Sequence, residues 1–211
     1  MLLALIHTFF LLFAIPVLVI FSVSLLMVTL LFRLPKRFME LSVQLFNNGI
    51  LLMFGLSVTH KRWYVDVDRL PKQLVIVSNH ESLLDPSIIV TTLSGRVIRF
   101  VAKASLFKIP LFGWALKAAG NVPVSRNRNP QDIERLKNDP TKLLENDLLF
   151  FAEGTRSKDG QLKKFKKGAF AFAIQHQRPI LPIAVVGGYE ALQPGQIAVG
   201  KNKKLAIVIG E

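Results

Sequence analysis

The first 32 residues, MLLALIHTFFLLFAIPVLVIFSVSLLMVTLLF, contain no Lys, Arg, Asp or Glu. A soluble domain rarely contains such a run, whereas about 20 apolar residues suffice to cross a bilayer. A secretory signal is shorter and carries a basic start and an A-x-A cleavage site, both of which this run lacks. We therefore expect residues 1–32 to bind a membrane, which constrains how the rest of the chain folds.

Pro16 leaves the arrangement of this segment open, because proline removes a helical hydrogen bond near its middle. The segment is either one kinked helix that spans the bilayer or two half-length helices that dip into one leaflet. Three basic residues, Arg33, Lys36 and Arg37, follow at once. Because such clusters prefer the cytoplasmic side, we expect the remaining chain to lie on the cytoplasmic face of a membrane of the bacterial inner-membrane type.

A second apolar stretch covers residues 38–59 and is interrupted by an Asn-Asn-Gly step. It is predicted as a helix that is either interfacial or buried in the core. The group from His60 to Tyr64 mixes basic and aromatic side chains, which is typical of the lipid headgroup level; a solvated strand edge is the alternative. We therefore predict a membrane-binding segment over residues 1–60 and a second domain over residues 61–211.

Beyond residue 61 the sequence alternates between strand and helix patterns. Continuous runs rich in Val, Ile and Leu indicate buried strands, and helical segments separate them. The second domain is therefore predicted to have an α/β fold with a mixed, largely parallel sheet flanked by helices. The final predicted strand ends directly before Glu211, which leaves open a further element beyond it. Strands are predicted at residues 73–77, 97–102, 121–126, 147–151, 180–186 and 204–210, and helices at 86–93, 110–120, 130–146 and 168–177.

Polar loops follow three of these strands: SNHESLLD at residues 78–85, SRNRN at 125–129 and AEGTRSKDG at 152–160. In sheets of this kind, ligands gather at the carboxyl ends of strands. If the three strands run in the same direction, their loops meet at one edge of the sheet. We therefore expect a binding site at that edge.

His80 and Asp85 lie in the first of these loops, five residues apart. On a continuous helix this spacing would turn the two side chains away from each other. Pro86 suits the first helical position and Asp85 the N-cap before it, so the chain can turn and let the imidazole reach the carboxylate. Such a pair forms a general base that removes a proton from a hydroxyl. The alternative is a helix cap beside a turn histidine, with no catalytic role.

The loop FFAEGTRS at residues 150–157 combines groups that are suited to binding a phosphate. Gly154 permits close backbone approach or a positive φ, and Arg156 offers a planar fork of N–H donors. Glu153 is suited to hold that guanidinium or to bind a substrate hydroxyl. Residues 156–168 contain six basic residues and one acid, which is typical of a loop that binds phosphates or anionic headgroups. A solvated surface turn is the alternative.

The composition excludes several classes of chemistry. Cysteine is absent, so disulfides, thiolate metal sites and a cysteine acyl-enzyme are ruled out. His80 has only Glu81 and Asp85 nearby, without the helical spacing of metal ligands, so no metal site is predicted. The net charge of +13 indicates an anionic partner. Because no RNA-binding motif is present, we expect anionic membrane lipids or phosphorylated metabolites rather than nucleic acid.

Four motifs occur in a specific order: N-H-x4-D at residues 79–85, G-x-x-P-V-x-R at 120–126, F-x-E-G-T-R-S at 151–157 and L-P-I-x-V-V at 181–186. Over residues 70–190 the chain resembles the glycerolipid acyltransferase family, most closely the 1-acyl-sn-glycerol-3-phosphate acyltransferases. The resemblance implies transfer of an acyl group from acyl-CoA or acyl-carrier protein to the sn-2 hydroxyl of lysophosphatidate, which gives phosphatidate. It implies no cofactor besides the acyl donor.

The resemblance also implies roles for individual residues. His80 corresponds to the general base and Asp85 to the residue that orients it. Pro182 corresponds to a position that shapes the wall of the acyl pocket. The residues implied in binding the acceptor's glycerol phosphate are Arg126, Glu153, Gly154, Thr155, Arg156 and Lys167.

Other functions stay open at this point. The acceptor is alternatively glycerol-3-phosphate, another lysophospholipid or a lyso-aminolipid. A serine acyl-enzyme that uses Ser78 or Ser82 is a further alternative, although no G-x-S-x-G elbow is present. A non-catalytic, basic membrane- or nucleic-acid-binding module is the third alternative, although the apolar N-terminus and the missing RNA-binding motif speak against nucleic acid.

Overall fold

The computed structural model describes residues 2–66, 69–125, 145–196 and 204–210. Within these ranges, the side chains of residues 2–12, 30, 36 and 59–62 are not described. Arg126 and nearly all of the helix predicted at residues 130–146 lie outside the described residues.

Two long helices begin the chain. Helix α1 (Leu2–Leu31) continues through Pro16, and helix α2 (Lys36–Met53) packs against it. The continuous course of α1 matches the single-helix alternative rather than two half-length helices. Within the described residues, no helix is both long enough and apolar enough to span a membrane. Membrane binding by this segment is therefore not confirmed.

Helix α2 ends sooner than predicted. Gly55 has a φ of 61°, its N–H donates to Leu52 O, and the N–H of Leu56 donates to Leu51 O. These two bonds form a Schellman motif, which stops the helix and satisfies its last carbonyls. The chain then extends into β1 (Ser57–Trp63). Part of the stretch predicted as a helix at 38–59 is therefore a strand.

The predicted domain boundary at residues 60/61 falls inside β1. The side chains of Leu51, Phe54 and Leu56 belong to the same buried core as the sheet. The pattern SVTHKRW in β1 alternates too weakly to reveal a strand. Residues 60–63 lie in this strand, and contact of the group at His60–Tyr64 with lipid headgroups stays a prediction.

Seven strands of the described chain form one sheet in the order β1-β7-β6-β2-β5-β3-β4. All pairs are parallel except β6 with β7, so the predicted α/β class with a mixed, largely parallel sheet is confirmed. The further strands are β2 (Val75–Ser78), β3 (Ile98–Lys103), β4 (Val122–Val124), β5 (Asp147–Phe151), β6 (Ile180–Val186) and β7 (Lys204–Ile209). The further helices are α3 (Asp85–Thr92), a 3₁₀ helix (Ala104–Lys108), α4 (Phe112–Ala118), α5 (Gly168–Gln175) and α6 (Gly188–Ala191).

Strands β2, β3, β4 and β5 run in the same direction. The loops after β2, β4 and β5 therefore leave the same edge of the sheet, as predicted from the three polar segments. We call this edge the carboxyl edge.

The two faces of the sheet bury different residues because side chains alternate along a strand. Ile76, Leu149 and Leu181 point to one face, in the core that also contains the buried side chains of α3. Val75, Val77, Leu148 and Phe150 point to the other face and pack with Ala169, Phe172 and Ala173 of α5. These contacts hold the loops of the carboxyl edge on a rigid support.

A buried ion pair fixes the opposite edge of the sheet. The carboxylate of Asp147 accepts hydrogen bonds from Arg96 Nε at 2.6 Å, from Arg96 Nη2 at 3.1 Å and from the N–H of Leu74 at 2.8 Å. The side chains of both charged residues are largely buried. Removal of one partner from such a pair leaves the other charge without compensation.

We expect Asp147→Ala to lower the free energy of unfolding by about 3–5 kcal/mol, measured by urea denaturation. The matched control is Asp66→Ala, which removes a surface pair with Arg69 and should cost less than about 1 kcal/mol. Equal losses in the two variants would contradict the importance of the buried pair.

Candidate active site

The carboxylate of Asp85 organises the loop between β2 and α3. It is fully buried, and its Oδ2 atom accepts three hydrogen bonds. The donors are Nδ1 of His80 at 2.8 Å, the N–H of Glu81 at 2.7 Å and the N–H of Ser82 at 2.8 Å. The contact between His80 and Asp85 that the spacing predicted is therefore present. The chain turns between them because Pro86 fixes the first turn of α3.

These contacts assign the tautomer of His80. Since the carboxylate can only accept, Nδ1 of His80 must be the donor, which leaves a lone pair on Nε2. Among the described residues, Nε2 has no recorded partner, and 18% of the side chain is exposed. The ring of Phe151 stacks on the imidazole with a centroid distance of 3.9 Å and an interplanar angle of 16°. The imidazole is thus held on two sides and open at the nitrogen that accepts a proton.

The loop is also fixed to β6 and α6. Asn79 donates from Nδ2 to Val185 O and accepts at Oδ1 from the N–H of Val185, both at 2.8 Å. Glu81 accepts from the N–H of Tyr189 at 3.3 Å. Burial raises the pKa of the Glu81 carboxyl above its usual range, and the negative charge of Asp85 raises it further, while the bond from Tyr189 acts against both.

Glu153 has a different position from the one predicted. It is buried, and its two oxygens accept hydrogen bonds from the N–H of His80 at 2.8 Å and of Lys163 at 3.1 Å. The N–H of Ser157 donates in turn to the carbonyl of His80 at 2.7 Å. A buried carboxylate needs such donors, and here the protein supplies them. Glu153 therefore holds the backbone of His80 instead of contacting Arg156 or facing a substrate hydroxyl.

Gly154 has the positive φ that its position predicted, 70°. An ideal Cβ at this position would lie only 2.7 Å from Nζ of Lys166, so the lysine side chain crosses directly over the glycine. The N–H of Lys166 donates to the carbonyl of Ala152 at 2.7 Å, which fixes the lysine backbone beside the loop. Sequence reasoning selected the neighbouring Lys167, and only the three-dimensional course of the loop separates the two lysines.

The other predicted binding residues are only partly brought together. Arg156 and Thr155 lie in the same loop as Gly154, half-buried, and the structure records no side-chain partner for either among the described residues. Lys167 is exposed at the N-cap of α5. Pro182 lies on an exposed position of β6 beside Gly210. Arg126 is outside the described residues.

The two serines of the alternative acyl-enzyme mechanism do not contact the imidazole. Ser82 is fully buried, and its hydroxyl donates to Leu192 O at 2.9 Å. The hydroxyl of Ser78 is also buried and has Asn79 Oδ1 as its recorded partner, at 3.4 Å. A nucleophile must lie within hydrogen-bond reach of its base, so this geometry does not support the serine mechanism.

A comparison with protein families decides where the chain belongs. The family model described as Acyltransferase matches residues 63–186, which is more than half of the chain. The chain belongs to the acyltransferase family. The matched residues run from the end of β1 to the end of β6 and include the loops that carry His80 and Glu153.

Several acyltransferases are similar to this chain in sequence. A chloroplastic 1-acyl-sn-glycerol-3-phosphate acyltransferase of Brassica napus is 37% identical over 137 residues, 64% of this chain and 39% of the relative. One of Chlamydomonas reinhardtii is 33% identical over 174 residues, 77% of this chain and 52% of the relative. The human alpha enzyme of the same name is 37% identical over 118 residues, 55% of this chain and 41% of the relative. The matched part of this acyltransferase-family chain thus corresponds to about half or less of the length of these relatives.

The fold is similar to that of a solved structure. The crystal structure of the 1-acyl-sn-glycerophosphate acyltransferase PlsC from Thermotoga maritima superimposes with a TM-score of 0.79 at 23% identity. The match covers 100% of this chain and 85% of the other. The likeness shows that this acyltransferase-family chain has the PlsC fold.

Gly188 offers a test of the pairing between His80 and Asp85. An added Cβ at Gly188 would lie 2.7 Å from Oδ1 of Asp85, so Gly188→Ala should displace the carboxylate from the imidazole. We expect the deshielded proton resonance of the His80 Nδ1–H, measured by NMR on the histidine-labelled protein, to shift or disappear.

The matched control is Gly168→Ala in the first turn of α5, where nothing lies within 4 Å of an added Cβ. Alanine should stabilise that turn by up to about 1 kcal/mol and leave the resonance unchanged. A wild-type resonance in Gly188→Ala would show that the pair tolerates the methyl group.

Proposed function

We propose that this protein transfers a fatty acyl group from acyl-CoA or acyl-carrier protein to the sn-2 hydroxyl of 1-acyl-sn-glycerol-3-phosphate, giving phosphatidate. The observation that carries the proposal is the His80 imidazole, which donates to a buried carboxylate and keeps its Nε2 lone pair accessible. The names of the curated relatives support the same reaction.

His80 acts as the general base in this proposal. Its Nε2 takes the proton from the acceptor hydroxyl as that oxygen attacks the thioester carbonyl. The tetrahedral oxyanion is stabilised by N–H donors and then expels the thiolate of the carrier, which recovers the proton from the imidazolium. Asp85 stabilises the imidazolium and keeps the ring in one orientation. No covalent enzyme intermediate is needed, in agreement with the positions of Ser78 and Ser82.

Lys166, Thr155 and Arg156 bind the acceptor's phosphate in this proposal. Their side-chain donors have no recorded partner among the described residues, and Lys166 lies over Gly154, in the loop that begins at Glu153. A planar guanidinium and a point-charge ammonium are complementary ways to bind phosphate oxygens. Arg126 and Lys167 remain proposed members of this group. Glu153 acts instead as a positioning residue for the His80 backbone.

The protein associates with an anionic membrane in this proposal, with the sheet on the cytoplasmic side. From residue 13 onward, helix α1 exposes large apolar side chains, among them Phe13, Val17 and Phe21. The basic cluster Arg33, Lys36 and Arg37 follows the helix directly. Because the acceptor and product are amphiphiles, a site at the bilayer surface avoids their extraction into water.

A purified assay tests the reaction and the role of His80. Lysophosphatidate and glycerol-3-phosphate are offered in turn, each with acyl-CoA and with acyl-carrier protein, and product is identified by mass spectrometry. We expect phosphatidate from lysophosphatidate. His80→Ala should lower kcat by about 10²- to 10⁴-fold with little change in KM. Product from glycerol-3-phosphate alone would favour the alternative acceptor, and near-normal turnover of His80→Ala would refute the base assignment.

The phosphate site is tested in neutral detergent micelles. Arg156→Ala and Lys166→Ala should each raise the KM for lysophosphatidate about tenfold, because a hydrogen bond to a charged group contributes about 1.5 kcal/mol or more. Their kcat should change less. The matched control is Lys164→Ala, an exposed lysine on the same loop, which should keep the wild-type KM. If Lys167→Ala raises the KM and Lys166→Ala does not, Lys167 binds the phosphate, as the sequence motif predicted.

A further inference from the structure

Exposed apolar side chains cluster on the connections that leave the carboxyl edge. The connection after β2 exposes Leu83, and the connection after β5 exposes Leu162, with 68% of its surface accessible, and Phe165. The connection after β3, including the start of α4, exposes Ile109, Leu111 and Trp114, of which Trp114 is 61% accessible. We call these six residues, Leu83, Ile109, Leu111, Trp114, Leu162 and Phe165, the rim.

The connection after β3 is built so that its apolar side chains face outward. Leu111 has a φ of 61°, a conformation that costs about 1–3 kcal/mol for a residue with a side chain. Gly113 lies so close to the 3₁₀ helix that an added Cβ would be 2.3 Å from the carbonyl oxygen of Phe107. The N–H of Gly113 donates to the carbonyl of Ile109 at 2.7 Å. Ile109, Leu111 and Trp114 are therefore held by the packing of this backbone.

The charges on the same connections are mostly positive. Lys103, Lys108 and Lys158 are exposed beside the rim. The one exposed acid on these connections, within the described residues, is Asp159, whose carboxylate accepts from Ser157 Oγ and from the N–H of Gln161. The bond from Gln161, the largest effect, and that from Ser157 lower the pKa of Asp159. A surface of apolar and cationic side chains is complementary to an anionic bilayer, where each lysine contributes about 1 kcal/mol.

We infer that the rim enters the interfacial region of an anionic bilayer, so that the opening beside His80 faces lipid directly. The rim lies next to α1, because α1 packs against α4, which carries Trp114. Large apolar patches mark sites of protein or membrane interaction, and the lysines favour the membrane. This inference rests on the membrane association in the proposed function and adds the part of the surface that makes the contact.

The chain offers clean reporters for this contact. It contains two tryptophans, Trp63 and Trp114, and no cysteine. Trp63 ends β1, an edge strand of the sheet, whereas α4 with Trp114 leads into β4, the other edge strand. The Trp63→Phe variant therefore keeps only Trp114, and the Trp114→Phe variant keeps only Trp63. The two variants report from opposite edges of the sheet. The Leu162→Cys variant carries a fluorescent probe on the rim. The Lys72→Cys variant carries the same probe before β2, at the opposite end of the strands.

The experiment mixes the full-length variants with vesicles of phosphatidylglycerol and brominated phosphatidylcholine. We expect quenching of Trp114 at least threefold stronger than of Trp63, and a fluorescence rise for the probe at residue 162 but not at residue 72. Residue 162 decides the test, because it lies on a different connection from the helix that packs against α1.

Sedimentation with vesicles separates this inference from the proposed function, because it reports membrane association by any part of the chain. If the protein sediments while the probe at residue 162 stays unchanged, α1 alone binds the membrane and the inference is wrong. Equal responses at residues 162 and 72 would also overturn it. A response at residue 162 to acyl-carrier protein, but not to vesicles, would assign the rim to that acidic partner instead. Failure to sediment would refute both membrane statements and leave the acyl-transfer assay untouched.

Discussion

The buried carboxylate of Asp85 is the constraint on which the site depends. Burial of a charge without partners costs several kcal/mol, and here three donors converge on one oxygen. Two of these donors are backbone N–H groups from the turn that carries His80, so satisfying the charge also closes the turn. The remaining oxygen, Oδ1, faces Gly188 at a distance that excludes a Cβ. The start of α6 is therefore part of the same arrangement.

Two buried acids divide the task of holding His80. Asp85 holds the ring, and Glu153 holds the backbone N–H from the loop after β5. Both carboxylates accept their recorded hydrogen bonds from protein donors. The nearby side chains that remain for the proposed anionic ligand are therefore cationic or neutral. Strands β2 and β5 are parallel neighbours, which is why Glu153, 73 residues further along the chain, can reach the histidine. The sheet topology thus converts two separate motifs into one site.

The sequence predicted the features that depend on local pattern. These include the α/β class, most strands, the common edge of the loops and the contact between His80 and Asp85. The first residues of strand β1 were predicted as helix because the strand's stability comes from pairing with β7, about 147 residues away, and not from its own pattern. Glu153 was misplaced because a motif states which groups are present but not which backbone donors reach them. Lys166, proposed here, was not selected from the motif because adjacent lysines differ only in the direction that the loop gives them.

In the proposed function, the placement of charge and apolar surface lets an amphiphilic acceptor reach His80 from the bilayer. A cavity of about 260 Å³ is lined by residues of α2, α3 and the start of β1, and not by the loop that carries His80. An acceptor whose acyl chain stays in the bilayer needs only its polar end to enter the site. Leu162 and Phe165 precede Lys166 on one connection, so the inferred bilayer contact and the proposed phosphate contact are a few residues apart. With the rim at the interface as inferred, only the polar end of the proposed acceptor has to cross from the interface to the imidazole.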